Sequence, residues 1–238
     1  MIDIIIPVFN EGQQVIRLLE LFEKNIKNKF NIFFCYDNDN DDIFNYQDNF
    51  EKFKFPIKLI KNKSVGPCSA VITGLEKSKS DCKLVYPADD FINTNIIDIM
   101  FDKFNEGADI VVASRFIKGG SMKGCPMIKS FLVRTASFTL HAFSSIPVED
   151  ASNGFRMFSK KLLNKVKIQS KMGFAYSLEL LVKCNRLGYK ISEVPAQWEE
   201  RSEGQSNFKI LRWLGEYLRW YIYGLKTFWL KKREPIDI

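Results

Sequence analysis

Asp3-Ile-Ile-Ile-Pro-Val-Phe9, followed at once by Asn10-Glu11-Gly12, decides how the rest of the chain is read. A short, β-branched run that ends in a polar turn reads as a strand buried on both faces, the kind found inside a parallel sheet. Helical spacing follows over residues 13–26, with Val15, Leu18, Leu19 and Phe22 on one side. The alternation then continues. Strands are predicted at 30–36, 57–61, 83–86 and 109–113, and helices at 67–78 and 94–105, with a weaker helix near 44–53. Strand–helix alternation of this kind implies βαβ units and a mostly parallel sheet flanked by helices, an α/β fold. In such sheets ligands gather at the carboxyl ends of the strands. Asn10-Glu11, Asp37–Asp42, Asp89-Asp90 and Ser114-Arg115 all fall there.

The second half is less regular. Gly119-Gly120 and Gly124-Cys125-Pro126 mark a loop; residues 127–143 read as a helix, 154–158 as a strand, 175–187 as a helix and 190–198 as extended. A polar loop, Arg201 to Asn207, precedes a helix over 208–230. Residues 1–207 therefore read as one domain and 208–238 as a C-terminal appendage built on an amphipathic helix.

With 238 residues, 46% of them hydrophobic, the chain can build a real core. The net charge of +7 favours anionic partners. It is dispersed and accompanies no recognition motif, so no nucleic-acid partner is expected. The five cysteines form no CxxC pair and suit reduced thiols in a cytoplasmic protein. A single histidine, His141, rules out a multi-histidine metal site. No run of about 18 uncharged apolar residues is present, so no transmembrane helix is expected, and the first residues lack the basic start of a signal peptide.

Adjacent carboxylates at a strand end, Asp89 and Asp90, are placed either to hold a divalent cation or to cap the following helix. Mg²⁺ or Mn²⁺ takes oxygen ligands and often only one or two from protein. The loop Asp37-Asn-Asp-Asn-Asp-Asp42 has the same ambiguity, because Asp and Asn also bond their own backbone in turns. It lacks the glycine and distal glutamate of a calcium-binding helix–loop–helix.

The order of motifs resembles family 2 glycosyltransferases, in particular the dolichol-phosphate mannose synthase-like branch. The matching pieces are Ile5-Ile-Pro-Val-Phe-Asn-Glu11, Asp37, Gly66-Pro-Cys-Ser-Ala70 with Gly74, Ala88-Asp89-Asp90 and Ala113-Ser-Arg-Phe116. Gly119-Gly120-Ser121, Val148 to Arg156, Glu179-Leu-Leu, Gly188-Tyr, Glu193-Val-Pro195 and Arg201 to Ser206 continue the series. The resemblance implies a GT-A type, Rossmann-like fold, an inverting reaction, a nucleotide-sugar donor and Mg²⁺ or Mn²⁺. It places Pro7, Phe9, Glu11, Asp37, Gly66, Ala88, Asp89 and Arg201 about the donor, and Asp89, helped by Asp90, on the metal. Lys129, Arg134 and Ser206 fall at the acceptor phosphate, and Arg115 at a phosphate either of the donor or of the acceptor. Two positions depart from the family pattern: Tyr36 stands where an aspartate is usual, and Pro87 replaces the first carboxylate of Asp-x-Asp.

A phosphate acceptor arrives already ionised, since even its second pKa is about 6, and needs cations rather than a base. Arg115, Lys118, Lys123, Lys129 and Arg134 meet that demand. A hydroxyl acceptor would need a base, for which Asp150 is the candidate and its neighbour Glu149 a weaker one. The expected activity is transfer of a sugar to a polyprenyl phosphate. The alternatives are transfer to a glycan hydroxyl, and an inactive membrane-associated homologue.

The 208–233 stretch interleaves Trp213, Tyr217, Trp220, Tyr221 and Tyr223 with Arg212, Arg219 and Lys226. That pattern suits an interfacial helix at the cytoplasmic face of a membrane, or a helix packed on the domain or on another subunit. The sequence leaves a homo-oligomer open.

Overall fold

The computed structural model describes residues 1–199 and 210–229. Nine strands and seven helices are present among them, in the order β1 (Ile2–Pro7), α1 (Gly12–Asn25), β2 (Phe30–Tyr36), β3 (Ile57–Lys61), α2 (Pro67–Lys77), β4 (Cys82–Val85), α3 (Ile97–Asn105) and β5 (Ile110–Ser114). Then come β6 (Ser121–Lys123), α4 (Met127–Ser144), β7 (Arg156–Ser159), α5 (Lys160–Lys165), α6 (Ala175–Arg186), β8 (Ile191–Pro195), β9 (Gln197–Glu199) and α7 (Ile210–Trp229). The region expected to be weakly helical is a 3₁₀ segment, Asp42–Lys52, and a 3₁₀ turn, Asn93–Ile96, leads into α3.

Seven strands form one sheet in the order β3-β2-β1-β4-β7-β5-β8. All of its pairings are parallel except those of β7, which runs antiparallel to both β4 and β5. β1 lies in register from Ile2 opposite Phe30 to Pro7 opposite Cys35. Because side chains alternate across a strand, Ile4 and Ile6 enter one core with Leu18, Phe22, Ile97 and Met100, while Ile5 enters the other with Val71, Leu75, Leu180 and Trp220. Helices thus cover both faces, as the unbroken apolar run of β1 requires. Helix α2 comes unusually close: a Cβ on Gly74 would overlap Ile5 and sit 2.8 Å from Cys35 Sγ.

The parallel strands end on one edge, and β7, running the other way, begins there. The loop 148–155 is thereby delivered to the same edge as Asp37, Asp89 and Arg115. A second, two-stranded ribbon of β6 and β9 lies beside it. Both strands of the ribbon span only three residues, too few for alternation to show, and β6 falls where the sequence reads as loop.

Helix α7 packs against α4 and α6. Trp220 is buried at 2% exposure and its indole N–H donates to Ser170 Oγ at 2.8 Å. Gly224 meets Leu140 and Val182, and the Tyr221 hydroxyl lies 2.7 Å from Thr139 Oγ1. Of the two readings of the aromatic stretch, packing on the domain accounts for its inner side. Glu179 and Lys183, buried one turn apart on α6 and 2.6 Å from each other, support this contact. Glu179 accepts from Gln169 N and Ser170 N, fixing the loop that receives Trp220.

Candidate active site

The acidic loop after β2 is spent largely on backbone amides, its own and those of neighbouring turns. Asp41 accepts from Asn10 N and Ile43 N, both at 3.1 Å, and Asp42 accepts from Gly12 N at 2.8 Å, at the start of α1. Asn10 has φ 55, a left-handed conformation that asparagine tolerates. The turn carrying Glu11 is thereby clamped to the 37–42 loop. Asp39 pairs with Lys61 on the surface. Asp37 holds Gly66 N through both oxygens, at 2.9 and 3.1 Å, and accepts from Asn62 Nδ2 at 2.8 Å. Gly66 takes φ 105 immediately before Pro67 opens α2, so only glycine fits without strain. Pro7, Glu11, Asp37 and Gly66 thus form one connected corner, with Phe9 on its rim, 55% exposed.

Beyond β4, Ala88 is buried and Asp89 half-buried. Asp90 has another employment: its oxygens accept from Ile92 N at 3.0 Å, Asn93 N at 2.9 Å and Asn93 Nδ2 at 2.7 Å. Burial pushes its carboxyl above the ordinary value, and these bonds offset that only in part. Asn93, 3% exposed, passes the link on, donating to Gln197 O at 2.7 Å and accepting from Gln197 N at 2.8 Å. Asp90 therefore caps its turn and, through Asn93, ties the 87–90 loop to β9. The metal-ligand part expected of it does not fit these bonds. Pro87 offers no side-chain oxygen, and among the described residues no group of three or more His, Cys, Asp or Glu gathers where a metal could sit. Among the described residues of the 87–90 loop, the carboxylate left to a hard cation is Asp89. That fits Mg²⁺ or Mn²⁺ only if phosphate and water complete the shell.

Arg115 and Asp150 form a buried bidentate pair. Arg115 Nε donates to Asp150 Oδ2 at 2.7 Å and Nη2 to Oδ1 at 2.9 Å, with side-chain exposures of 12% and 0%. Asp150 also accepts from Arg115 N, Ser152 N, Ser152 Oγ and Asn153 N. Burial alone would raise its carboxyl, but the Arg115 guanidinium and these donors outweigh it and hold the group below its usual range. A sealed, saturated carboxylate is not placed to take a proton from an acceptor hydroxyl, so the base reading of Asp150 fails on geometry. The neighbouring Glu149 is held through its backbone, the N–H donating to Glu193 at 3.0 Å, while its side chain is exposed. The phosphate part expected of Arg115 is likewise revised: its fork already holds Asp150 and Ser152 Oγ, the latter at 2.6 Å. Nearby, Arg156 is fully buried and donates to the carbonyls of Ala151 and Ser177, and burial lowers its pKa to about 10.

Basic residues on α4 carry aromatic backing. Lys129 Nζ lies 5.3 Å from the Trp198 ring centroid and Arg134 Cζ lies 4.6 Å from that of Phe116. Trp198 sits on β9 next to Gln197, so the Asp90–Asn93–Gln197 chain runs on to Lys129. The structure brings together the corner of Pro7, Phe9, Glu11, Asp37 and Gly66, then Asp89, and the Lys129/Arg134 pair along one edge. Arg201 and Ser206 lie outside the described residues. Asn93 and Trp198 were missed from sequence: an asparagine ahead of a helix reads as a cap, and a tryptophan in a short strand reads as core.

A family model described as Glycosyl transferase family 2 matches residues 3–167. A dolichol-phosphate mannosyltransferase of Pyrococcus furiosus is 27% identical over 227 residues, 94% of this chain and 63% of that protein. A polyprenol monophosphomannose synthase of Mycolicibacterium smegmatis is 24% identical over 126 residues, 48% of each. The chain thus spans less than two thirds of the length of either relative. Among solved structures, glucosyl-3-phosphoglycerate synthase of Mycobacterium tuberculosis with Mn²⁺, UDP and phosphoglyceric acid superposes with TM-score 0.66 at 17% identity, covering 95% of this chain and 78% of that one. The same enzyme with Mg²⁺ and UDP gives TM-score 0.62 at 16% identity, over 95% and 78%. At such identity the likeness speaks for the fold, which is of the GT-A type.

Proposed function

The chain belongs to glycosyl transferase family 2, and from that premise we propose that it moves a sugar, with inversion, from a GDP- or UDP-linked donor to a polyprenyl phosphate. The observation that carries this reading is the sealing of Asp150 by Arg115 beside a rim whose other cations, Lys129 and Arg134, stand on rings. With Asp150 sealed, the reading favours an acceptor that arrives as its own nucleophile, which a phosphate monoester does near neutral pH. The names of the two curated relatives support the same acceptor class.

In this reading the corner of Pro7, Phe9, Glu11, Asp37 and Gly66 receives the nucleoside, and Ala88-Asp89 lies at the diphosphate. Asp89 would hold a Mg²⁺ or Mn²⁺ ion, which when bound neutralises the charge of the departing nucleoside diphosphate. Lys129 and Arg134 bind and orient the acceptor phosphate by charge-assisted hydrogen bonds, and the rings beneath them limit where their charges point. Arg115 and Asp150 act at one remove, holding the loops after β5 and before β7. The protein works at a membrane surface, since its acceptor is a lipid. Among the described residues no helix is long and apolar enough to cross a bilayer.

The test is transfer from GDP- and UDP-sugars, with Mn²⁺ or Mg²⁺ and with EDTA, to a short-chain prenyl phosphate and in parallel to glycan acceptors. Transfer to the phosphate alone is expected, with Asp89→Ala lowering it by roughly a hundredfold or more. Transfer only to hydroxyls, or parental rates in Asp89→Ala, sinks the reading.

A further inference from the structure

Helix α4 has its polarity reversed. Its buried positions are Ser137, Leu140 and Ser144, two hydroxyls among three residues. At about 100° per residue, the side facing away from them carries Ile128, Phe131, Leu132, Thr135, Phe138 and Ala142. Ile128 is 77% exposed, Phe131 69%, Phe138 65% and Leu132 56%, and Met127 at the helix start reaches 88%. No charged side chain falls on this strip. Lys129 borders it on one side and Arg134 on the other, and α4 contains no Asp or Glu. A helix on an ordinary solvated surface shows the opposite arrangement, with its apolar stripe inward, and a contiguous exposed apolar strip marks an interaction surface.

We propose that this strip of α4 seats in the headgroup–acyl boundary of an anionic bilayer and docks the protein there. Three observations select a lipid surface as occupant. An apolar strip with cations on both margins matches rings and aliphatic chains at acyl depth and cations at headgroup depth. A second copy fits poorly, because pairing α4 with α4 brings two cation-bordered strips together without a carboxylate on either to answer them. The margins, moreover, are Lys129 and Arg134 themselves, so seating α4 lays these cations at the depth of a lipid phosphate. The last point rests on the function proposed above; the first two do not. Helix α7, where the sequence placed membrane contact, plays the smaller part. Its aromatic side turns inward at Trp220 and Gly224, leaving Leu214, Leu218 and Ile222 outward at 42%, 45% and 46% exposure.

The test is co-sedimentation of the full chain with phosphatidylcholine vesicles containing phosphatidylglycerol, and with phosphatidylcholine alone, over a salt series. Wild type is expected to bind the anionic vesicles more strongly and to weaken with salt. The double variant Ile128→Glu/Phe131→Glu should lose roughly tenfold or more in partitioning, and Leu218→Glu/Ile222→Glu distinctly less. Both sites are exposed, so circular dichroism, melting, and the melting shift on adding Mn²⁺ with UDP or GDP should stay as in wild type. A wild type that ignores vesicles, or an α4 double variant that binds as wild type does, overturns the docking. A wild-type dimer that the α4 substitutions split also overturns it, the strip then being a self-interface. Absence of any nucleotide-dependent melting shift in wild type counts against the proposed function instead, whatever the vesicles do.

Discussion

Replacing Asp150 by Asn removes the charge that answers a guanidinium only 12% exposed. Breaking one side of a buried pair costs about 3–5 kcal/mol, and at about 2–4 °C per kcal/mol for a chain of this size the melting temperature should fall by roughly 6–20 °C. Transfer to a phosphate by the molecules that stay folded should persist. Abolished turnover with unchanged melting would mean that Asp150 works on the substrate after all. The pH dependence has a definite sign. Because Arg115 and the backbone donors hold Asp150 below its usual range, its contribution is full above the unfolded value of about 3.9 and fades as pH falls through the lower folded value. The difference in melting between wild type and Asp150→Asn should therefore hold near neutrality and close only in acid. At this scale the motifs pointed to Asp89, Asp90, Arg115 and Asp150 but not to the partners that Asp90, Arg115 and Asp150 hold. Asp150 meets a residue 35 positions away, and Asp90 reaches β9 through Asn93 across 104 positions. Linear spacing carries no trace of such distances.

Helices dock here through small residues and single large anchors. Trp220→Ala leaves a hole between α6 and α7 and should cost about 3–5 kcal/mol, read as a lowered denaturation midpoint with unchanged slope. Gly74→Ala forces α2 off β1 and β2, where Ile5 and Cys35 already lie against the backbone, and overpacking of this kind costs about 1–3 kcal/mol; a neutral result would show that α2 can slide. The strands β1, β2 and β3 were legible nearly to the residue, since an apolar run between turn signals has few other readings. β6 was not, β9 was read only as the end of one extended stretch with β8, and the role of α7 was only half so. A helix with an aromatic side and basic margins looks the same whether it meets lipid or protein. The difference lies in what opposes it, and Leu140 and Val182 across from Gly224 decide for protein on that side.

For the molecule as a whole, the donor should bind as one stabilising unit with its cation. At a concentration about a hundred times Kd, a ligand that binds only the folded state adds about 2.7 kcal/mol, or roughly 5–11 °C of melting temperature here. Manganese without nucleotide should give little, since among the described residues no group of three or more His, Cys, Asp or Glu gathers to hold it. A large shift from the metal alone would reveal ligands beyond Asp89. The alternation of strands and helices made a mostly parallel sheet readable, but not the strand order, which depends on β7 entering between β4 and β5 against their direction. That insertion shapes the birth of the chain. When residue 114 leaves the ribosome, β4 and β5 are both made yet do not pair with each other. Each holds an open rung of amides and carbonyls toward a gap that only residues 156–159 can fill. Until they arrive, the half-synthesised polypeptide is an adhesive object, and chaperones that shield strand edges should crowd onto it at that length and let go once β7 has closed the sheet.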